Sequence, residues 1–290
     1  MSEIGFVGLG KMGQPILNRI RLRFKVKIVF NRNRGKAVGL EGVKLADEPF
    51  HVGAGCDIIF VMLSDDNACE SVIFGEQGIV RTIRPQSILV NLSTVSHEFS
   101  LSAARRLQES MCSYLDAPVL GSVKLAEEGK LATLVSGPEK AYETVSKLID
   151  SYSSNVFYLG TQGNAIKMKL ISNAVMAVNL AAIGEALVMA EKSGIAKEKA
   201  LDIINSSGGE SRVSSLKKET ILSETFDPSF TLKDMVKDLG YAEKLSQNLS
   251  SPLTLGTTAL QFYLAAMSIG FGNLDFSSVV RAFRFMIGRS

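Results

Sequence analysis

"IGFVGLGKMGQPI", residues 4–16, decides how the rest of the chain is read. A short apolar run leads into Gly8, Gly10 and Gly13, spaced G-x-G-x-x-G. Alone, that spacing is a weak signal. Here it follows a β-rich run and opens a helical pattern from Met12 to about Arg23, the setting in which such a loop holds a dinucleotide. Gly8 permits the tight turn, Gly10 lets backbone approach the pyrophosphate, and Gly13 lets helix pack on strand. The helix N-terminus adds N–H groups and a positive dipole end. Leu9, Lys11 and Met12 complete the candidate loop, with Lys11 placed either on phosphate or towards water.

Working outward, further β-rich runs follow: "VKIVF" (26–30), "DIIFVML" (57–63), "SILVNLS" (87–93), "SYLDAPV" (113–119), "LATLVSG" (131–137) and "NVFYLG" (155–160). Several are continuously apolar, as strands covered on both faces are. Amphipathic stretches such as "SLSAARRLQES" (100–110) and "EKAYETVSKLI" (139–149) lie between them. The alternation predicts an α/β domain with a doubly wound, mostly parallel sheet. After Gly160 the texture changes. Residues 163–194 read as one helix about 45 Å long, apolar almost all round and therefore expected inside an assembly of helices. Shorter helices are expected at 196–207, at 232–248, from Ser251–Pro252 to Gly270, and after about Asp275. The predicted organisation is a dinucleotide-binding domain over residues 1–161 and an all-helical domain over 162–290, joined by the long interdomain helix.

With 46% hydrophobic and 21% charged residues in 290, the composition is that of a soluble globular protein able to bury a core without disulfides or metals. The net charge of +3 is dispersed, so nothing demands nucleic acid. Cys56, Cys69 and Cys112 fit no zinc or redox spacing and read as free thiols in a reducing compartment. With no signal-peptide pattern at the N-terminus, a cytoplasmic location is expected. The apolar stretch 174–190 is broken by Asn179, Gly184 and Glu185 and falls short of the ~20 residues a bilayer needs, so no membrane span is expected.

The second strand run ends in Asn31, Arg32, Asn33 and Arg34, with no carboxylate. An acidic residue there would bind the ribose hydroxyls and repel a 2′-phosphate. Asn31 can bond a ribose oxygen and Arg32 can fork onto a phosphate, which predicts NADP over NAD, with NAD possible. On the long helix, Lys169 and Asn173 lie a turn apart on one face. Lys169 suits general acid/base work if desolvated, or is a snorkelling surface lysine. His51 and His97 have no setting that suggests a His–carboxylate pair. No Tyr precedes a Lys by four positions, and there is no metal-ligand cluster and no G-x-S-x-G.

Taken together, these segments resemble the β-hydroxyacid dehydrogenase family, which includes 3-hydroxyisobutyrate dehydrogenase and glyoxylate/succinic semialdehyde reductases and is related to 6-phosphogluconate dehydrogenase. "GFVGLGKMGQPI" resembles its cofactor loop, and "VNLSTVSH" the segment whose Ser93 and Thr94 reach the nicotinamide end. "GTQGNAIKMKLISN" matches G-x-x-G-x-G-x-x-x-K-x-x-x-N, with Ala165 for the third glycine. The resemblance implies that Lys169 is catalytic with Asn173 as companion. Met62, Leu63, Ser64, Thr94, Phe230 and Lys237 are assigned with the loop and Asn31–Asn33 to the cofactor. Ser93, Leu120, Gly121, Ser122, Lys169, Asn173 and Asp238 are assigned to the substrate. The family usually reads D-A-P-V-S-G-G where this chain has Asp116-Ala117-Pro118-Val119-Leu120-Gly121-Ser122, so Leu120 removes a hydroxyl from the carboxylate site. The implied activity is NADP-dependent hydride transfer between nicotinamide and a small hydroxy acid or semialdehyde held between the domains, with Lys169 as general acid/base. An imine reductase and a non-catalytic NADP-binding module are the alternatives. A small carboxylate substrate and a homodimer or homotetramer are the implied partners.

Overall fold

The continuous apolar runs of the first half become the middle of a sheet. It comprises β1 (Ile4–Val7), β2 (Val26–Phe30), β3 (Lys44–Leu45), β4 (Ile58–Val61), β5 (Ile88–Asn91) and β6 (Ser113–Asp116), all parallel, in the order 3-2-1-4-5-6. Every residue of β1, β4 and β5 is buried, which explains why their sequences do not alternate. The connections carry α1 (Gly13–Arg21), α2 (Phe50–Gly55), α3 (Asp66–Phe74) and α4 (His97–Glu109). Phe6 and Phe60 stack at 6.2 Å, and Phe60 meets Tyr152 edge-on at 6.4 Å. Burying each such side chain stabilises by ~1.5–3 kcal/mol.

The sheet expected to be single is two. "SYLDAPV" does not form one strand: β6 stops at Asp116, and β7 (Val119–Leu120) belongs to a second sheet with β8 (Leu131–Val135) and β9 (Ser153–Tyr158). β7–β8 is antiparallel and β8–β9 parallel. Pro118 accounts for the break, because it has no N–H to continue the ladder. An antiparallel bridge between Asp116 and Ser136 ties the two sheets. α5 (Val123–Glu128) and α6 (Glu139–Ile149) complete this part.

The remainder is helical. α7 (Asn164–Lys192) is followed by α8 (Lys197–Asn205), α9 (Arg212–Leu216), α10 (Lys218–Ser223), α11 (Leu232–Asn248), α12 (Thr254–Ser268) and α13 (Val279–Met286). Beyond β9 the described residues contain only an isolated bridge, Thr231–Asp275. α7 ends at an αL glycine, Gly194 (φ +78°), with the Ile195 N–H bonded back to the Ala190 carbonyl. α12 starts later than expected. Its N-cap is Leu253 with no side-chain cap, so Ser251 and Pro252 lie in the preceding turn, where Ser250 has φ +51°. Within the single chain α7 is not buried all round. Its most apolar stretch has mean hydropathy 1.6 but is only 44% buried, and Met168, Ile171, Val175 and Met189 are exposed.

The computed structural model describes residues 2–286 and divides into two compact units, Met1–Lys169 and Leu170–Ser290. The division falls inside α7.

Candidate active site

The strand order turns back between β1 and β4, and in sheets of this kind ligands bind outside the carboxyl ends of strands at such a point. The glycine loop leaves β1 there, and Met62, Leu63 and Ser64 leave β4. Gly8 has φ +96°, and a Cβ on it would lie 2.0 Å from the Met62 carbonyl oxygen. A Cβ on Gly13 would lie 2.0 Å from the Gly8 oxygen. The chain's own packing therefore demands both. Gly10 differs: a Cβ there meets nothing within 4 Å. Its missing side chain answers no need of the fold and leaves room for a ligand against the backbone. α1 follows with no acidic residue in its first turn and, among the described residues, no side-chain cap. These features fit a pyrophosphate. Leu9 is buried, Met12 half-buried and Lys11 exposed.

Asn31 is drawn into the loop itself. Its Oδ1 accepts the Leu9 N–H at 2.8 Å, and its Nδ2 donates to the Asn33 carbonyl at 2.7 Å. The Asn33 side chain accepts from Gly35 N, and Arg34 pairs with Asp47 at 2.6 Å. Arg32 is exposed and has no side-chain partner among the described residues.

Ser93 is fully buried, and its hydroxyl accepts the Leu63 N–H at 2.8 Å. It thus holds the segment after β4, while its neighbour Thr94 is half-buried. Leu120 is half-buried on β7, opposite Ala132. Gly121 and Ser122 are exposed, and the Ser122 hydroxyl caps α5 through Leu125 N at 3.4 Å. Lys169 is half-buried on α7. His97 opens α4 with its ring against Gly163. Its Nδ1 is buried without a partner among the described residues, and burial, then the charge of Lys167, holds its pKa below the usual imidazole value.

Unit 2 gathers a second group. Asn173, 2% exposed, donates from Nδ2 to Asp238 Oδ2 at 2.6 Å. Asp238 lies on the buried stripe of α11 and is 1% exposed. Lys237 places Nζ 3.2 Å from Asp238 Oδ1. Phe230 packs edge-on to Phe276 with centroids 5.6 Å apart. Among the described residues no cluster of His, Cys, Asp or Glu could hold a metal.

Sequence reasoning missed a buried polar string in unit 1. Asn91 Nδ2 donates to the Tyr114 hydroxyl at 2.9 Å, and Asp116 accepts from Ser100, Ser136, Gln162 and Gly163. Its one sequence signal is an Asp closing an apolar strand run.

The strand order and the ligand-ready glycine loop define a dinucleotide-binding sheet, and a helical unit follows it. The NAD binding domain of 6-phosphogluconate dehydrogenase matches residues 3–160, and the NAD-binding domain of NADP-dependent 3-hydroxyisobutyrate dehydrogenase matches residues 163–283. The chain belongs to the family of NAD(P)-dependent dehydrogenases and reductases that includes 3-hydroxyisobutyrate dehydrogenase and the glyoxylate/succinic semialdehyde reductases. It is 33% identical to glyoxylate/succinic semialdehyde reductase 1 of Arabidopsis thaliana, over 98% of this chain and 99% of that protein. It is also 33% identical to the cytokine-like nuclear factor N-PAC of Homo sapiens, over 97% of this chain and 51% of that protein. Among solved structures, a Mycobacterium tuberculosis 3-hydroxyisobutyrate dehydrogenase with L-serine aligns with TM-score 0.87 at 27% identity, covering 98% of this chain and 99% of that one. Psf3 in complex with NADP+ and 2-OPP aligns with TM-score 0.86 at 25% identity, covering 96% and 99%.

Proposed function

We propose that this chain interconverts a small aldehyde acid and the matching hydroxy acid with NADP(H), and that Lys169 is its general acid and base. The observation that carries this reading is the ladder along α7. Half-buried Lys169 is followed one turn later by Asn173, whose amide is fixed by the buried Asp238 carboxylate. NADPH, when bound along Gly8–Gly13, supplies the reducing equivalents. Lys169 gives a proton to the carbonyl oxygen as negative charge develops there, and takes it back in the oxidative direction. Such help contributes ~10²–10⁴-fold in rate. Asn173, with Nδ2 committed to Asp238, keeps Oδ1 to accept from an ammonium or a hydroxyl. The backbone N–H groups of Gly121 and Ser122 hold the substrate carboxylate. Lys237 adds positive charge, and Leu120 leaves an apolar wall.

NADP is preferred in this reading because Arg32 is exposed and uncommitted and the end of β2 carries no carboxylate. Asn31 then acts chiefly by holding the loop at Leu9. The exposed apolar side chains of α7 support a homodimer or homotetramer, and three buried cysteines outside any disulfide, Cys56, Cys69 and Cys112, support a cytoplasmic setting.

The test mixes the protein with NADPH or NADH and either glyoxylate or succinic semialdehyde, and follows absorbance of the reduced cofactor. The expected result is turnover of at least one aldehyde acid with a clear preference for NADPH. Tight NADPH binding without turnover of either would overturn the enzymatic reading, and a preference for NADH would overturn the cofactor assignment.

A further inference from the structure

Asp116 closes β6 with no solvent exposure. Its Oδ2 accepts four donors: Ser100 Oγ at 2.8 Å, Ser136 Oγ at 3.1 Å, Gln162 Nε2 at 2.5 Å and the Gly163 backbone N–H at 3.0 Å. They come from α4, from the end of β8 and from the turn that opens α7. Ser136 Oγ in turn accepts the Ala165 N–H at 3.1 Å. The first N–H groups of a helix have no partner within it. Here the carboxylate takes one at the mouth of α7, and the hydroxyl it binds takes another. The backbones of Asp116 and Ser136 also exchange two hydrogen bonds of 3.0 Å, so the same residue joins the two sheets.

The arrangement works against stability. Burial raises the Asp116 pKa to about 6 despite the four donors. Its Oδ1 has no hydrogen-bond partner among the described residues. A half-exposed Ser or Asn could cap α7 without burying a charge. What the buried carboxylate adds is convergence: one atom fixes a strand end, a second sheet and the first turn of a helix at a single point.

We propose that Asp116 is the positioning residue for Lys169, fixing the first turn of α7 and so the place at which the lysine, less than two turns further on, presents its ammonium. This rests on the reading of Lys169 as general acid. Misplacement of about 1 Å is enough to cost roughly 10²-fold in rate.

The experiment is a double-mutant cycle of Asp116→Asn and Lys169→Ala. It reads kcat for succinic semialdehyde reduction, NADPH Kd by fluorescence, and hydrogen exchange at the Gly163 and Ala165 amides. Asp116→Asn should lower kcat about tenfold or more, leave NADPH Kd within about twofold, and speed exchange at both amides. In the Lys169→Ala background it should cause no further loss of kcat. Additive losses, or wild-type kcat with slow exchange, would overturn the proposal. Near wild-type turnover in Lys169→Ala alone would instead overturn the reading beneath it, and the exchange data would still show whether Asp116 anchors the turn. If Asp116→Asn does not fold, Ser136→Ala enters the same cycle, since it removes one oxygen that bonds both Asp116 and Ala165. The same non-additivity with Lys169→Ala is expected, and additivity refutes the proposal.

Discussion

At the residue scale, the functional reading turns on two cations. Replacing Lys169 by Ala should lower kcat by ~10²–10⁴-fold while NADPH affinity stays within about twofold, because the lysine is assigned to proton transfer alone. Steady-state rates with a binding titration check both halves. Arg32 should show the opposite pattern. Hydrogen bonds to charged groups contribute ~1.5–3 kcal/mol, so Arg32→Ala should lower kcat/KM for NADPH roughly 10- to 100-fold and change that for NADH little. An equal loss with both cofactors would remove Arg32 from the 2′-phosphate. Lys169 and Asn173 stand out in the sequence because their four-residue spacing puts them on one helix face, and their roles rest on the proposed function. Asp116 does not stand out, because its donors Ser100, Ser136, Gln162 and Gly163 lie 16 to 47 residues away. Nothing local in "LDAPV" announces them. Asn31 was a candidate by its place at the end of β2, but its engagement with Leu9 depends on the path of a loop more than twenty residues earlier.

At the element scale, Asp116 predicts a pH signature for the junction of β6 and α7. The folded protein holds its proton more tightly than the unfolded chain, with the pKa raised from 3.8 to about 6. The associated stability is fully present below about pH 4 and is lost as pH rises through about 6. The shift corresponds to on the order of 3 kcal/mol. Chemical denaturation of wild type and Asp116→Asn between pH 4 and pH 7 should therefore show the variant gaining relative stability as pH rises. A difference flat in pH would contradict the assignment. The strands β1, β4 and β5 could be read from sequence because a strand buried on both faces must be apolar throughout. The break of "SYLDAPV" could have been read from Pro118, but the apolar run masked it. The start of α12 was misplaced because Ser251–Pro252 looks like a cap and first turn, whereas the positive φ at Ser250 turns the chain before the helix begins.

For the whole molecule, composition and texture separated the sheet-bearing half from the helical half, but they could not show which apolar side chains of α7 stay exposed. Exposure depends on helices that approach from other parts of the chain. If a second copy covers Met168, Ile171 and Val175, then Val175→Glu should shift the assembly towards monomer in sedimentation velocity. An unchanged oligomer would place the interface elsewhere. Gly10 has a consequence for work on the intact protein. Because a Cβ there meets nothing within 4 Å, Gly10→Ala should melt within a degree or two of wild type, whereas Gly8→Ala and Gly13→Ala should be severely destabilised. Under the proposed function NADPH should raise the melting temperature of the parent, and the Gly10 variant should lose that rise. It would be a folded twin that cannot see the dinucleotide, a blank against which ligand-dependent signals from this protein can be read.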